Sequence, residues 1–324
     1  MTRRKSSLTP FFLAALLLAG CASRPLSSEG FVFGVMGDTP YNEREEAQFL
    51  GMLERMNAEP LAFIVHVGDF KAGGDSPCTD ALFEKRRAQF DLSRHPLIYT
   101  PGDNEWTDCR RPSNGSMDPQ ERLAKLQQVF FADGTSRGLE RITTAFQGEC
   151  IERKGDACVC PSHRENLMWI RSGVRFVTLN FPGKSNNVGN GPVSDEEARC
   201  RTLANRLWLE RAVVESESPD TRALVVATQA NPWVGRNKVY EPFLKEMTAA
   251  AARLRKPMLF VHGDTHLYRF DTPFVDASGL PLANPARLET YGSPFVGWEK
   301  VTVDPDDPKV FRVEPRLHAL VPPT

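Results

Sequence analysis

Leu97-Ile-Tyr-Thr-Pro-Gly-Asp-Asn-Glu-Trp106 is the stretch whose reading decides the fold. Leu97 to Tyr99 is a short apolar run that predicts a buried strand. Pro101 and Gly102 end it, and Asp103, Asn104 and Glu105 stand where it stops. The chain repeats the design three times. Phe31-Val-Phe-Gly-Val-Met36 runs into Gly37-Asp38, and Leu61-Ala-Phe-Ile-Val-His-Val67 runs into Gly68-Asp69. Pro257-Met-Leu-Phe-Val261 runs into His262-Gly263-Asp264-Thr265-His266. In open α/β sheets ligands bind beyond the carboxyl ends of strands. One Gly-Asp turn is an ordinary loop or a helix cap. Four at four strand ends point to acids converging on a cation.

The intervening segments read as helices. Phe49, Leu50, Leu53 and Met56 recur at helical spacing within 43–57, and Leu82, Phe83 and Phe90 do so within 79–91. The first three strands therefore alternate with helices and are parallel neighbours, which puts Asp38, Asp69 and Asp103 on one sheet edge. Asp118-Pro-Gln-Glu121 opens a further helix with a capping box. Residues 131–160 show no clear period and read as a Cys-containing insertion, near 131–165. Strands at 167–170 and 174–180 pair around a turn. Ser194-Asp-Glu-Glu197 reads as a second capping box, starting a helix to about Glu215 with Leu203, Leu207 and Val214 on one side. A strand over 223–228 and a helix over 240–255 precede the strand at Met258. Segments 287–291, 298–303 and 310–313 read as a closing antiparallel meander. The fold class is α/β, with two packed mixed sheets flanked by helices.

Composition bounds the function. The 324 residues are 41% hydrophobic and 25% charged with formal net charge −1, which gives ample length for a core and no nucleic-acid footprint. Residues 1–20 form a signal peptide: a basic start, a short apolar run, and Leu18-Ala-Gly-Cys21. The run is too short to span a bilayer. Leu-Ala-Gly-Cys resembles the bacterial lipobox, which implies a lipidated Cys21, a linker over 21–30 and a single domain over 31–324. Membrane contact is then through the lipid anchor only. Ala22 after that cysteine resembles the enteric pattern for the outer membrane, facing the periplasm. Export and six remaining cysteines suggest disulfides, with 15 connectivities open. Cys78 and Cys109 follow acidic turns by about the same distance and are the favoured pair. Zinc on Cys150, Cys158 and Cys160 is the weaker alternative, because no histidine or fourth cysteine has finger-like spacing.

The acidic turns Gly37-Asp38, Gly68-Asp69, Gly102-Asp103-Asn104-Glu105 and Gly263-Asp264-Thr265-His266 resemble, in order and spacing, the motif set of calcineurin-like metallophosphoesterases. The resemblance spans roughly residues 31–270. It implies a four-layer αββα sandwich and hydrolysis of phosphate esters, in which a metal-activated hydroxide attacks phosphorus in line. Asp38, Asp69 and His266 match family ligands, Asp69 at the bridging position. Pro40 stands where the first motif has histidine, Asp103 replaces a neutral ligand, and Asn104 replaces the histidine of the leaving-group side. Asp264 replaces the first histidine of the last motif, and Gln229 stands near the fourth. The implied metal set is Asp38, Asp69, Asp103, Gln229, Asp264 and His266.

The cofactor is one or two divalent ions, Mn, Mg, Fe or Zn; the oxygen-rich second site favours hard cations such as Mg²⁺, Mn²⁺ or Ca²⁺. Asn104 and His262 are the catalytic candidates, Asn104 orienting the phosphoryl group and His262 as the spare imidazole. Lys71 and Asn180 are candidates for substrate binding. The partner is a phosphorylated small molecule or a phosphodiester. The alternative reading, motivated by the missing histidines, is a catalytically weak or inactive lipoprotein on the same fold that binds metal or a phosphorylated ligand.

Overall fold

The computed structural model describes residues 29–234 and 238–322. The segment expected to be a signal peptide, and Cys21, lie outside the described residues. The elements in chain order are β1 (Phe31–Met36), α1 (Glu43–Asn57), β2 (Ile64–His66), α2 (Asp80–Phe90), β3 (Leu97–Tyr99), α3 (Pro119–Phe130), β4 (Ala145–Gln147), β5 (Glu152–Lys154), β6 (Ala157–Cys160), β7 (His163–Arg171), β8 (Val174–Thr178), a single turn α4 (Gly183–Asn186), α5 (Pro192–Ser216), β9 (Ala223–Ala227), α6 (Glu241–Leu254), β10 (Met258–His262), β11 (Arg269–Asp271), β12 (Pro285–Glu289), β13 (Phe295–Val303) and β14 (Phe311–Leu320).

Two mixed sheets carry the molecule. The first has strand order β14-β13-β1-β2-β3, and the second has β11-β12-β10-β9-β8-β7-β4. β1, β2 and β3 run parallel, as do β8, β9, β10 and β12. Period-two alternation sorts each strand's side chains between layers. Leu259 and Val261 of β10 join Val225 of β9 and Phe33 of β1 in the core between the sheets. Met258 and Phe260 instead pack with Leu224, Val226, Leu209 and Met247 under α5 and α6. Phe63 and Phe33 meet Phe176 across the sheets, with ring centroids 5.0 and 5.4 Å apart. On the outer face of the first sheet, Gly34 leaves room for Met56 of α1; a Cβ there would lie 2.7 Å from its Cε. The layers are thus helix, sheet, sheet, helix, which is the αββα sandwich.

Two expectations need correction. The segment expected to open an antiparallel meander, β12, lies in the second sheet and pairs parallel with β10, while β13 and β14 close the first sheet. β11, which precedes β12 in the chain, runs antiparallel to it at the sheet edge, and β12 and β13, adjacent in sequence, serve different sheets. The long helix starts at Pro192, two residues before the expected cap, with Gly191 at its N-cap. Its inner face is also different. Leu207 and Val214 are exposed, whereas Ala204, Trp208 and Ala212 are buried with Arg201 and Asn205. Small and polar residues let α5 approach the sheet and the loop after β8, which an apolar stripe did not signal.

All six described cysteines are paired, as Cys78–Cys109, Cys150–Cys158 and Cys160–Cys200. The second pair closes the β5–β6 hairpin and the third ties it to α5. This pairing removes the zinc alternative, since no thiolate is left to ligate. Among the described residues no helix is long and apolar enough to cross a membrane.

Candidate functional site

The strand ends of both sheets meet over one cavity of about 310 Å³. Tyr41, Asp69, Asp103, Asn104, Lys184, Asp264 and His266 are among the residues that line it. Asp38 lies beneath, fully buried. The backbone N–H of Asp264 donates to both Asp38 carboxylate oxygens at 3.1 Å, and His266 Nε2 lies 3.5 Å from Asp38 Oδ1. Asp69 occupies the middle. Its Oδ1 accepts from the Asn104 N–H at 3.0 Å, and its Oδ2 accepts from Gln229 Nε2 at 3.1 Å. Gln229 Oε1 takes the Gly183 N–H at 2.6 Å, so Gln229 aligns Asp69 and turns its oxygen away from it. Asp103 and Asp264 converge on Gly183, where a Cβ would stand 2.8 Å from Asp103 Oδ1 and 3.0 Å from Asp264 Oδ1.

The turns are held in unusual backbone. Asp38, Asp69, Asp264 and His266 all have positive φ, at 51°, 55°, 78° and 64°. Asp and His enter this left-handed region more readily than most residues, yet at a cost of order 1–3 kcal/mol each. Glu105 explains part of how the cost is met. Its Oε1 accepts from the N–H of Asp69 and Gly102 and from Tyr99 Oη, and thereby pins two of the turns. Glu45 does the same on the other side, accepting from the Tyr41 N–H and from Ser293 Oγ. The Ser293 carbonyl in turn faces His266 Nδ1 at 2.6 Å.

Electrostatics follow from crowding. Burial, then the neighbouring Asp103, Glu105 and Asp38 charges, hold the Asp69 carboxyl well above the usual carboxylate range. Burial, followed by Asp108 and Asp264, does the same to Asp103. Asp264 is pushed up to about 6, first by burial. His266 is opposed by burial, but its contact with Asp38 pushes it up to about 9. Beside burial, negative charge from neighbouring carboxylates contributes to every one of these shifts. Asp103 Oδ2 is also buried without a hydrogen-bond partner among the described residues. A divalent cation fits both observations, and a donor set dominated by oxygen suits a hard one. The donors stand apart around the cavity. Among the described residues the group of His, Cys, Asp and Glu closing within 4.8 Å is Cys160, Glu196 and Cys200, whose sulfurs are bonded to each other.

The structure brings Asp38, Asp69, Asp103, Asn104, Gln229, Asp264 and His266 together. The remaining candidates lie elsewhere. His262 follows the outward alternation of β10. Its ring packs on Trp233 and Phe260, Nδ1 faces the Gly263 carbonyl, and burial depresses it to about 3. Lys71 is buried, and Nζ donates to the carbonyls of Ala72 and Asn104. Asn180 is buried and donates to Glu165 Oε1. Lys71 and Asn180 therefore brace the site's walls. Asn104 lines the cavity, but Nδ2 donates to Tyr41 Oη at 3.1 Å and to the Lys71 carbonyl at 3.0 Å.

Sequence reading missed Tyr41 and Lys184. Tyr41 Oη lies 3.1 Å from His266 Nε2 and 3.4 Å from Asp69 Oδ2. Its signal was available: it follows Asp38 by three residues, beyond Pro40. Lys184 sits in the strand-end loop 180–187, whose asparagines drew attention first.

No family model and no curated protein matches the sequence. Solved structures resemble the fold at low identity. GAP50, the anchor in the inner membrane complex of Plasmodium, is 11% identical, with 89% of each chain covered and a TM-score of 0.48. A dimetal phosphatase from Danio rerio is 12% identical, with 92% of this chain and 98% of that chain covered, also at 0.48. Vacuolar Protein Sorting 29 from Cryptosporidium parvum is 10% identical, with 89% and 97% covered, at 0.27. Scores this low carry no function from one chain to another.

Proposed function

We propose that the chain is a metal-dependent hydrolase of phosphate esters. The supporting observation is the convergence of Asp38, Asp69, Asp103, Asp264 and His266 from two sheets on one cavity, four of them in left-handed backbone. Strain of this kind gathers at functional sites, where the surroundings over-determine it. Asp38 and His266 would hold a cation on one side of Asp69, and Asp103 with Asp264 on the other. When bound, divalent ions supply charge stabilisation for phosphoryl oxygens and lower the pKa of water. The chain's own groups do the rest. Asp69, fixed by Asn104 and Gln229, stays centred between the two sides. Tyr41 Oη, which burial and the surrounding acids keep protonated, presents a hydrogen-bond donor at the cavity wall. Asn104 positions that hydroxyl.

A second reading, a protein that binds metal or a phosphorylated ligand with little turnover, is supported by one observation. His262 faces away from the cavity and both Asn104 amide hydrogens are engaged, so the proton donor expected at the leaving group has no imidazole in its place. We also propose export to the bacterial envelope with a lipid on Cys21. Three disulfides are what an oxidising compartment sustains.

The test is turnover of generic phosphomonoesters and phosphodiesters with Mn²⁺ or Mg²⁺ added. Metal-dependent turnover that falls about 10²-fold or more in Asp69→Asn is expected; outer-shell partners of a metal already cost about 10–100-fold. Turnover unchanged by Asp69→Asn would overturn the mechanism. Metal binding without any turnover would favour the second reading.

A further inference from the structure

Beside the acids lies a loop whose conformation those acids do not explain. Lys184, Ser185, Asn186 and Asn187 carry positive φ in succession, at 47°, 62°, 55° and 62°. Left-handed backbone is visited by single residues and avoided in runs. Here a dense network fixes it. Arg201, fully buried, donates to the Asn186 side chain and to the Asn186 and Asn180 carbonyls. Tyr240 Oη donates to the Pro182 carbonyl and accepts from the Asn186 N–H. Asn187 bridges Glu197 and Arg110.

The loop delivers one side chain to the cavity as a cation, that of Lys184. The other cations nearby are committed. Lys71 is bound to two carbonyls, Arg111 pairs with Asp108 at 2.7 Å, and Arg110 donates to the Thr107 carbonyl and Asn187. Lys184 is exposed, and among the described residues no hydrogen bond or ion pair is seen for it. Its charge is felt by Asp103, Asp108 and Asp264.

We infer that Lys184 is the substrate-binding cation of this cavity and selects a dianionic phosphoryl group, that of a phosphate monoester, over a monoanionic diester. The inference rests on the reading of the cavity as a cation-holding phosphoryl site. Lys71 is held against Glu105 and Arg111 is paired with Asp108, so Lys184 is the cation at the cavity's rim that is left without a direct partner among the described residues. A compact ammonium acts on phosphate as a point charge and favours the more highly charged group.

The test uses Lys184→Met, Lys184→Arg and Lys184→Gly, with inorganic phosphate as the dianion probe, titrated calorimetrically into the Mn²⁺-loaded protein. Lys184→Met and Lys184→Gly should weaken phosphate binding about tenfold or more, the scale of a hydrogen bond to a charged group. Lys184→Arg should retain most of it. Lys184→Gly should melt at the same temperature or higher, because glycine relieves the left-handed backbone. Where the wild type turns over, the monoester-to-diester ratio of kcat/KM should fall by a similar factor in Lys184→Met. Phosphate binding unchanged in Lys184→Met, absent from the wild type, or lost in parallel with melting temperature in Lys184→Gly would overturn the assignment. Failure of the wild type to hydrolyse any ester would overturn the hydrolase reading alone, because the binding result judges Lys184 separately.

Discussion

Asp69 shows most clearly what single residues do here. Buried, in left-handed backbone and among other acids, it is an unfavourable place for charge, which a bound cation would offset. That makes a pH prediction. Asp69, Asp103 and Asp264 have folded-state pKa values above their unfolded ones, Asp264 near 6. Their contribution to the metal-free fold is therefore full at low pH and is lost as pH rises through the folded values. A cation reverses the loss, because it binds the deprotonated form. Added Mn²⁺ should raise the melting temperature more at pH 8 than at pH 5. A shift equal at both pH values would contradict the placement of the cation among these acids. His66 and His262 act in the opposite sense. Burial lowers them to about 4 and about 3. They stabilise the fold fully above their unfolded pKa near 6.5, and that stability is lost as pH falls towards the folded values. Replacing His262 by Gln should flatten the acid side of the stability profile, measured as denaturation midpoint between pH 4 and 6.5; an unchanged slope there would place its titration elsewhere.

At the scale of elements, the sequence marked the acidic turns better than it marked the sheets. The turns after β1, β2, β3 and β10 were legible because the same Gly-Asp pattern recurs at four strand ends, and the parallel order of the first three strands followed from their alternation with helices. β12 and the inner face of α5 were not. Adjacent β12 and β13 serve different sheets, which no local pattern encodes, and α5 packs through Ala204, Trp208, Leu209, Ala212, Arg201 and Asn205 instead of Leu207 and Val214. Tyr41 was hidden because Pro40 stands where the resembled motif has histidine, and only the folded chain brings its hydroxyl within 3.4 Å of Asp69 Oδ2. The capping reading of Asp118 can be checked directly. Its carboxylate accepts from the N–H of Gln120 at 2.7 Å and of Glu121 at 3.2 Å. Asp118→Ala should cost about 1 kcal/mol in denaturant unfolding, and Asp118→Ser much less. Equal losses from both would remove the cap from the account.

On the scale of the whole molecule, two sheets place their strand ends at one rim, and a buried disulfide secures that rim. Cys78–Cys109 joins the segment after Asp69 to the segment after Asp103, and both sulfurs pack near the Asn104 carbonyl. Its sequence separation of 31 residues implies stabilisation of about 3–4 kcal/mol if the effect lies in the unfolded chain. The double variant Cys78→Ser with Cys109→Ser should lose about that much in denaturant unfolding. Because the bridge spans two site turns, it should also bind Mn²⁺ more weakly at temperatures where it remains folded. Full metal affinity in the folded double variant would confine the bridge to stability.

Whether the acidic turns of the two sheets hold a cation is read most directly from metal content. The chain from residue 22 onward, lacking Cys21, would be exported to an oxidising compartment, stripped with chelator, reloaded with Mn²⁺ or Mg²⁺ and analysed for metal per chain beside Asp69→Asn. One to roughly two ions per chain are expected, with a marked loss in Asp69→Asn. Binding absent for every divalent ion tried, or equal in the wild type and Asp69→Asn, would contradict that expectation.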